Sequence, residues 1–154
     1  MPDSELPLFY QSPWFAVAFI AAAVGIAVLF SVLSGWRSLA RRFPARPDAA
    51  GEHFRFASAK MGLVSWFPVS YGGVLAVTVA PEGIAMSICQ PFRLLCPAFF
   101  LPWSEVLSVK ERVAFLSRRI VVSIRDSPVE IALRGPAGKS VAAMFDQVRG
   151  AKAE

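Results

Sequence analysis

Residues 72–89, GGVLAVTVAPEGIAMSIC, decide the fold. GGVLAVTVA (72–80) is rich in β-branched residues and follows a Gly pair, the composition of a strand. Pro81-Glu82-Gly83 is a compact turn signal, with Gly83 free to adopt positive φ. GIAMSIC (83–89) then reads as the return strand, so the stretch predicts a β-hairpin. Hairpins build antiparallel sheets, and the rest of the chain is read outward from this one.

Toward the C-terminus the hairpin logic repeats. AFFLPW (98–103) enters another strand, broken at Pro102. WSEVLSVKERVAF (103–115) alternates Val106, Ser108, Lys110 and Arg112 with Leu107, Val109 and Glu111, so a strand fits. A short helix from Ser104 to Leu107, capped by Ser104, also fits its first residues. RRIVVSIRD (118–126) and PVEIALRG (128–135) form a second hairpin about Asp126-Ser127-Pro128. KSVAAMFDQVRG (139–150) places Val141, Met144, Phe145 and Val148 at i, i+3, i+4 and i+7, one face of an amphipathic helix. Toward the N-terminus, FRFASAK (54–60) alternates with a flaw in its period. The expected fold is mainly β: an antiparallel six- to seven-stranded barrel or sandwich with a C-terminal capping helix.

Farther upstream the pattern changes. Trp14 to Leu33, WFAVAFIAAAVGIAVLFSVL, carries no charge and no proline. At 1.5 Å per residue, about 20 residues cover a hydrocarbon core of about 30 Å. The stretch predicts a transmembrane helix that satisfies its own backbone within the bilayer. GWRSLARRFPARP (35–47) continues the helix to about Phe43, where Pro44 and Pro47 disfavour extension. The chain then divides into a tail (1–13), a transmembrane helix with a basic juxtamembrane end (14–43), a linker (44–52) and a β domain (53–150).

Charge sets the expected orientation. Asp3 and Glu5 precede the apolar run, while Arg37, Arg41, Arg42 and Arg46 follow it. Basic residues beside a span stay in the cytoplasm, which puts the N-terminus outside and the domain inside. Trp14 and Trp36 bracket the run where indole rings prefer the headgroup layer. Together with the four arginines they form the predicted membrane interface.

The net charge of +5 is small and scattered, which argues against nucleic acid as a partner. Cys89, Cys96 and His53 lack metal-ligand spacing, so no metal or cofactor is expected. The acids are spread singly, and His53 has no catalytic companion, so no enzyme is read here. Gly135-Pro136-Ala137-Gly138-Lys139-Ser140 looks like the end of a phosphate-binding loop. The full pattern needs Gly at position 133, where Leu133 stands, and Pro136 removes a backbone donor. Nucleotide binding through Lys139 is therefore a remote alternative.

This layout resembles the pleckstrin-homology-like (PH-like) superfold, a bent seven-stranded antiparallel barrel with a C-terminal helix. APEGIAMSI, FRLLCPAFFLPWSEVLSV, IVVSI and VEIAL also look like small bacterial single-span membrane proteins of PH-like or GRAM-like type, in which an I-P-W-x-x-I-like phrase opens a strand. Here that phrase is Leu101-Pro102-Trp103-Ser104-Glu105-Val106. The resemblance covers about residues 53–150 and implies an inner-membrane protein with scaffolding, protein contact or lipid-headgroup contact rather than chemistry. Phosphoinositide readers of this fold carry a basic cluster between their first two strands. The matching stretch, KMGLVSWFPVSY (60–71), has a single Lys and three aromatics instead. Trp66, Phe67, Tyr71, Arg118 and Arg119 are the candidate contacts to a partner or to lipid. The leading expectation is an adaptor that binds a protein partner at the membrane, with headgroup sensing as the alternative.

Overall fold

The computed structural model describes residues 12–63, 68–90, 93, 96–114 and 117–152. Two helices come first, α1 (Pro13–Leu33) and α2 (Trp36–Arg42). Seven strands follow: β1 (Glu52–Gly62), β2 (Val69–Ala80), β3 (Gly83–Ile88), β4 (Phe99–Pro102), β5 (Val106–Ala114), β6 (Ser117–Ile124) and β7 (Glu130–Arg134). A single 3-10 turn, Trp103–Glu105, joins β4 to β5, and α3 (Gly135–Ala151) ends the fold. The turn begins one residue before the helix read at Ser104, and no side chain caps it.

The strands form one antiparallel sheet in the order β4-β3-β2-β1-β7-β6-β5. Both predicted hairpins are present, β2 with β3 and β6 with β7. The long β1 joins the two halves. It pairs with β2 from Glu52 to Met61 and with β7 only from Ala59 to Gly62. Its register against β2 slips between Phe54 and Ala57 and again between Ala57 and Ala59. Such bulges bend a strand and increase its twist, which curls the sheet into a half-barrel. They also explain the flawed alternation of residues 54–60. Phe56 takes φ 58° and stands 72% exposed, and the inward set restarts at Ala57, Ala59 and Met61.

Inside the curl lie Leu75, Val77, Val79, Ile84, Met86, Leu101, Val122, Ile131 and Leu133, all buried. Gly83 is required by a close approach, not by a positive φ. A Cβ there would collide with the carbonyl oxygen of Leu101 on the neighbouring β4. Trp103 fills the corner, where its Nε1 donates to the Ala80 carbonyl at 2.9 Å and its ring lies 6.1 Å from that of Phe145. α3 closes the half-barrel with Val141 buried and Met144, Phe145 and Val148 packed on the core. A bent seven-stranded antiparallel half-barrel with a C-terminal helix is the PH-like fold.

Gly135 to Ser140 form the first turns of α3 itself. Phosphate loops keep such residues ahead of the helix, with backbone donors free to wrap the anion. Here Lys139 sits exposed on the helix surface and Ser140 Oγ donates to Glu52 at 2.6 Å.

The helical region departs from the expectation of one rod from 14 to 43. α1 ends at Leu33, Ser34 and Gly35 form a turn, and α2 starts anew at Trp36. Gly35 adopts φ 75°, the left-handed conformation that ends helices and that residues with a Cβ resist. The stretch read as a linker also begins on the sheet. Pro44 bridges Phe99, and Phe100 N–H donates to the Phe43 carbonyl at 3.1 Å.

Candidate functional site

The elbow between α1 and α2 is the most elaborated region of the fold outside the half-barrel core. α1 is apolar all round, with mean hydropathy 2.7 over its best window, and it is long and apolar enough to cross a membrane. Its aromatic and aliphatic side chains project outward, and Trp14 is 79% exposed. Burial begins only at its last turn, with Ser31, and continues through Ser34, Gly35 and Trp36.

Four parts of the β domain converge on that elbow. A Cβ at Gly35 would meet the Val129 side chain after the β6–β7 turn and Leu63 at the end of β1. Ser34 Oγ and Tyr71 Oη, at the start of β2, share a hydrogen bond of 2.7 Å. Trp36 Nε1 donates to the Pro97 carbonyl, just ahead of β4, at 2.8 Å. The indole of Trp36 lies 5.4 Å from Tyr71 and edge-on to Phe99 at 5.0 Å. Such aromatic pairs add about 0.5–1.5 kcal/mol beyond the area they bury. Leu39 and Phe43 extend the same face of α2 into the core. The elbow therefore plugs the end of the half-barrel marked by Leu63, Tyr71, Pro97 and Val129. Burial there pushes the Tyr71 phenol above its usual pKa, against the lowering effect of its bond to Ser34.

Several predicted interface residues lie elsewhere than at a lipid surface. Trp36 is 0% exposed: the half-barrel end, not the headgroup layer, takes its ring. Tyr71 is buried beside it rather than presented to a partner. Arg42 is turned onto the domain. Its guanidinium pairs with Glu105 at 3.0 Å and donates to the Arg125 and Asp126 carbonyls at 3.1 and 3.2 Å. Arg46 stacks on the ring of Phe100, 5.1 Å from its centroid. Arg37 is half-buried and Arg41 exposed, so these two keep faces open to solvent. Trp66 and Phe67 lie outside the described residues. Arg118 pairs with Glu111 at 3.6 Å on an exposed strand end, while Arg119 belongs to the outer face of β6.

Ser34, Gly35, Leu39 and Phe43 were not singled out from the sequence. A signal was there: a glycine after the apolar run, then Trp36, Leu39 and Phe43 at i, i+3 and i+7. Both cysteines are free, and no group of three metal-ligand side chains occurs among the described residues.

No family model and no curated protein sequence matches the chain. Among solved structures it is similar to the Vps36 N-terminal PH domain, at 13% identity and TM-score 0.48, over 67% of this chain and 80% of that one. It is also similar to a PH domain from TgAPH, at 14% identity and TM-score 0.34, over 61% and 78%.

Proposed function

We propose that this chain is a single-span, membrane-anchored PH-like adaptor whose domain lies in the cytoplasm and holds a protein partner at the bilayer surface. The observation that carries the reading is the elbow. Ser34, Trp36, Leu39 and Phe43 seat the end of the apolar helix in the half-barrel, so the domain is packed against the base of its anchor. A catalyst has no need of such a fixture, whereas a scaffold that must present one face at a set height does. The anchor reading is supported by the outward apolar surface of α1, far larger than the patches a soluble protein leaves in water. The orientation is supported by the arginines after the span.

Headgroup sensing is less well supported. Lys60 lies within β1, and residues 63–68, between β1 and β2, carry no Lys or Arg where lipid readers of this fold carry a basic cluster; Trp36 also fills the adjoining end of the half-barrel. With an anchor already in place, lipid affinity is not needed for targeting.

Crosslinking and purification of the full chain from its native membranes tests the reading. A stoichiometric protein partner is expected, and a Trp36→Ala chain, with its elbow loosened, should retain the membrane but lose part of that partner. A chain that emerges monomeric and uncrosslinked overturns the adaptor role. Protease added outside intact cells should spare everything beyond Arg46. Digestion of the domain would reverse the orientation.

A further inference from the structure

The outer face of the β1–β7–β6–β5 sheet carries a row of like charges. In the antiparallel register Arg112 lies directly opposite Arg119, and Arg119 directly opposite Arg134. The inward positions on these strands are Val122, Ile124, Ile131 and Leu133, all buried, so the arginines share the outward side. One step along, Lys110 faces Val121, Val121 faces Ala132, and Ala132 faces Lys60. A groove of about 940 Å³ runs over this surface, with Lys60, Arg112 and Arg119 in its walls beside Leu63 and Leu107.

Such a row is unfavourable as it stands, because like charges directly opposite on a sheet destabilise it. Among the described residues, the one acid in the groove wall is Glu130, and it reaches only Arg112, at a long 3.9 Å. Arg119 Nε is buried and has no hydrogen-bond partner among the described residues. A buried cationic donor without an acceptor bears its full desolvation cost, and a planar guanidinium is matched best by a carboxylate or phosphate oxygen.

We infer that this row is the docking surface for an acidic segment of the partner protein, whose carboxylates supply closer acceptors to Arg112, Arg119 and Arg134 than the distant Glu130 does. The inference rests on the adaptor reading and names the chemistry of its partner. Position favours a protein over the bilayer as the source of negative charge. Val129, against the elbow, marks where the anchor meets the domain. Arg134 lies five residues farther along β7, about 16 Å at 3.3 Å per residue. That puts Arg134, and Arg119 paired opposite it, about two Debye lengths at physiological salt from the elbow, while the other end of the groove, at Ser127 and Val129, lies beside it.

The test uses the full chain in nanodiscs of neutral phosphatidylcholine, with fluorescein-labelled decaglutamate as probe and anisotropy as readout. Saturable binding is expected. It should weaken at least tenfold in the Arg112→Gln/Arg119→Gln double variant and stay unchanged in Arg149→Gln, which alters an exposed cation on α3 away from the groove. Arg119→Gln should melt at or above the temperature of the native chain, because it relieves repulsion. A lower melting temperature would mean that the guanidinium braces the sheet, which overturns the proposal. So does equal probe binding by the double variant, or none by the native chain. In nanodiscs with one third phosphatidylglycerol, undiminished binding supports a protein ligand. Loss of the probe there assigns the row to the membrane instead. Capture of the same partner by the native and double-variant chains would remove this surface while leaving the adaptor role intact.

Discussion

At the scale of single residues, Gly35 and Tyr71 hold the elbow together, and each makes a separate prediction. Gly35→Ala forces a Cβ into a left-handed backbone and against Val129. Strain of about 1–2 kcal/mol from the backbone and about 1–3 from overpacking should add. A loss of at least 2 kcal/mol is expected in denaturant titrations in micelles. Gly25→Ala, which meets no neighbouring atom, should leave domain stability unchanged. For Tyr71, a phenol held above its ordinary value of 10.0 favours the protonated form in the folded state. Its contribution is fully present below pH 10 and is lost as pH rises toward the folded value. Stability should therefore fall on that alkaline limb, and Tyr71→Phe, costing about 1 kcal/mol for its hydrogen bond at neutral pH, should flatten the limb. An unchanged alkaline slope in the Phe variant would show that the phenol is not what titrates. Trp36 shows what single residues conceal. A tryptophan beyond an apolar run suits the headgroup layer and a half-barrel end equally well, because both offer apolar surface beside a carbonyl or phosphate acceptor. Only the assembled walls, Tyr71, Pro97 and Phe99, decide between them.

At the scale of elements, legibility followed sequence distance. The β2–β3 and β6–β7 hairpins and the apolar stripe of α3 depend on neighbours a few residues apart, and the local pattern announced each. The break between α1 and α2 depends on Val129 and Leu63 as much as on Gly35, and those contacts are made only after the sheet has formed. The bulges of β1 are hidden for the same reason: one strand must serve two sheet halves. α2 has seven residues, too few to be helical by itself. Its stability comes from tertiary packing, so Trp36→Ala should cost about 3–5 kcal/mol and melt α2 along with the elbow. Amide hydrogen exchange should then rise across residues 36–43 while β2 and β3 stay protected. Equal protection in the variant would mean that α2 stands without its indole. The same packing sets where the folding unit begins. A soluble fragment starting at residue 48 lacks Trp36, Leu39 and Phe43 and should aggregate, whereas one starting at Ser34 keeps the plug.

At the scale of the whole molecule, the elbow turns an anchor into a bracket. If α1 spans a bilayer, the connections around the plugged end, near Leu63, Tyr71 and Val129, must lie closest to the membrane, and the β2–β3 turn at Pro81-Glu82 must lie far from it. β2 runs from Tyr71 beside the elbow to Ala80 at that turn, nine steps of about 3.3 Å, or about 30 Å if the strand were straight. Single cysteines at Ser127 and Glu82, in a background with Cys89 and Cys96 replaced by Ala, allow a fluorophore to be placed at each end. Lipid-borne quenchers in the headgroup layer should quench the Ser127 position strongly and the Glu82 position weakly. Loosening the elbow with Trp36→Ala should narrow the difference, because a domain on a swivel samples every height. Equal quenching at both positions in the native chain would mean that the domain lies on its side. The groove with its row of arginines would then be within reach of lipid, and both the fixed height and the acidic protein ligand would have to be given up together.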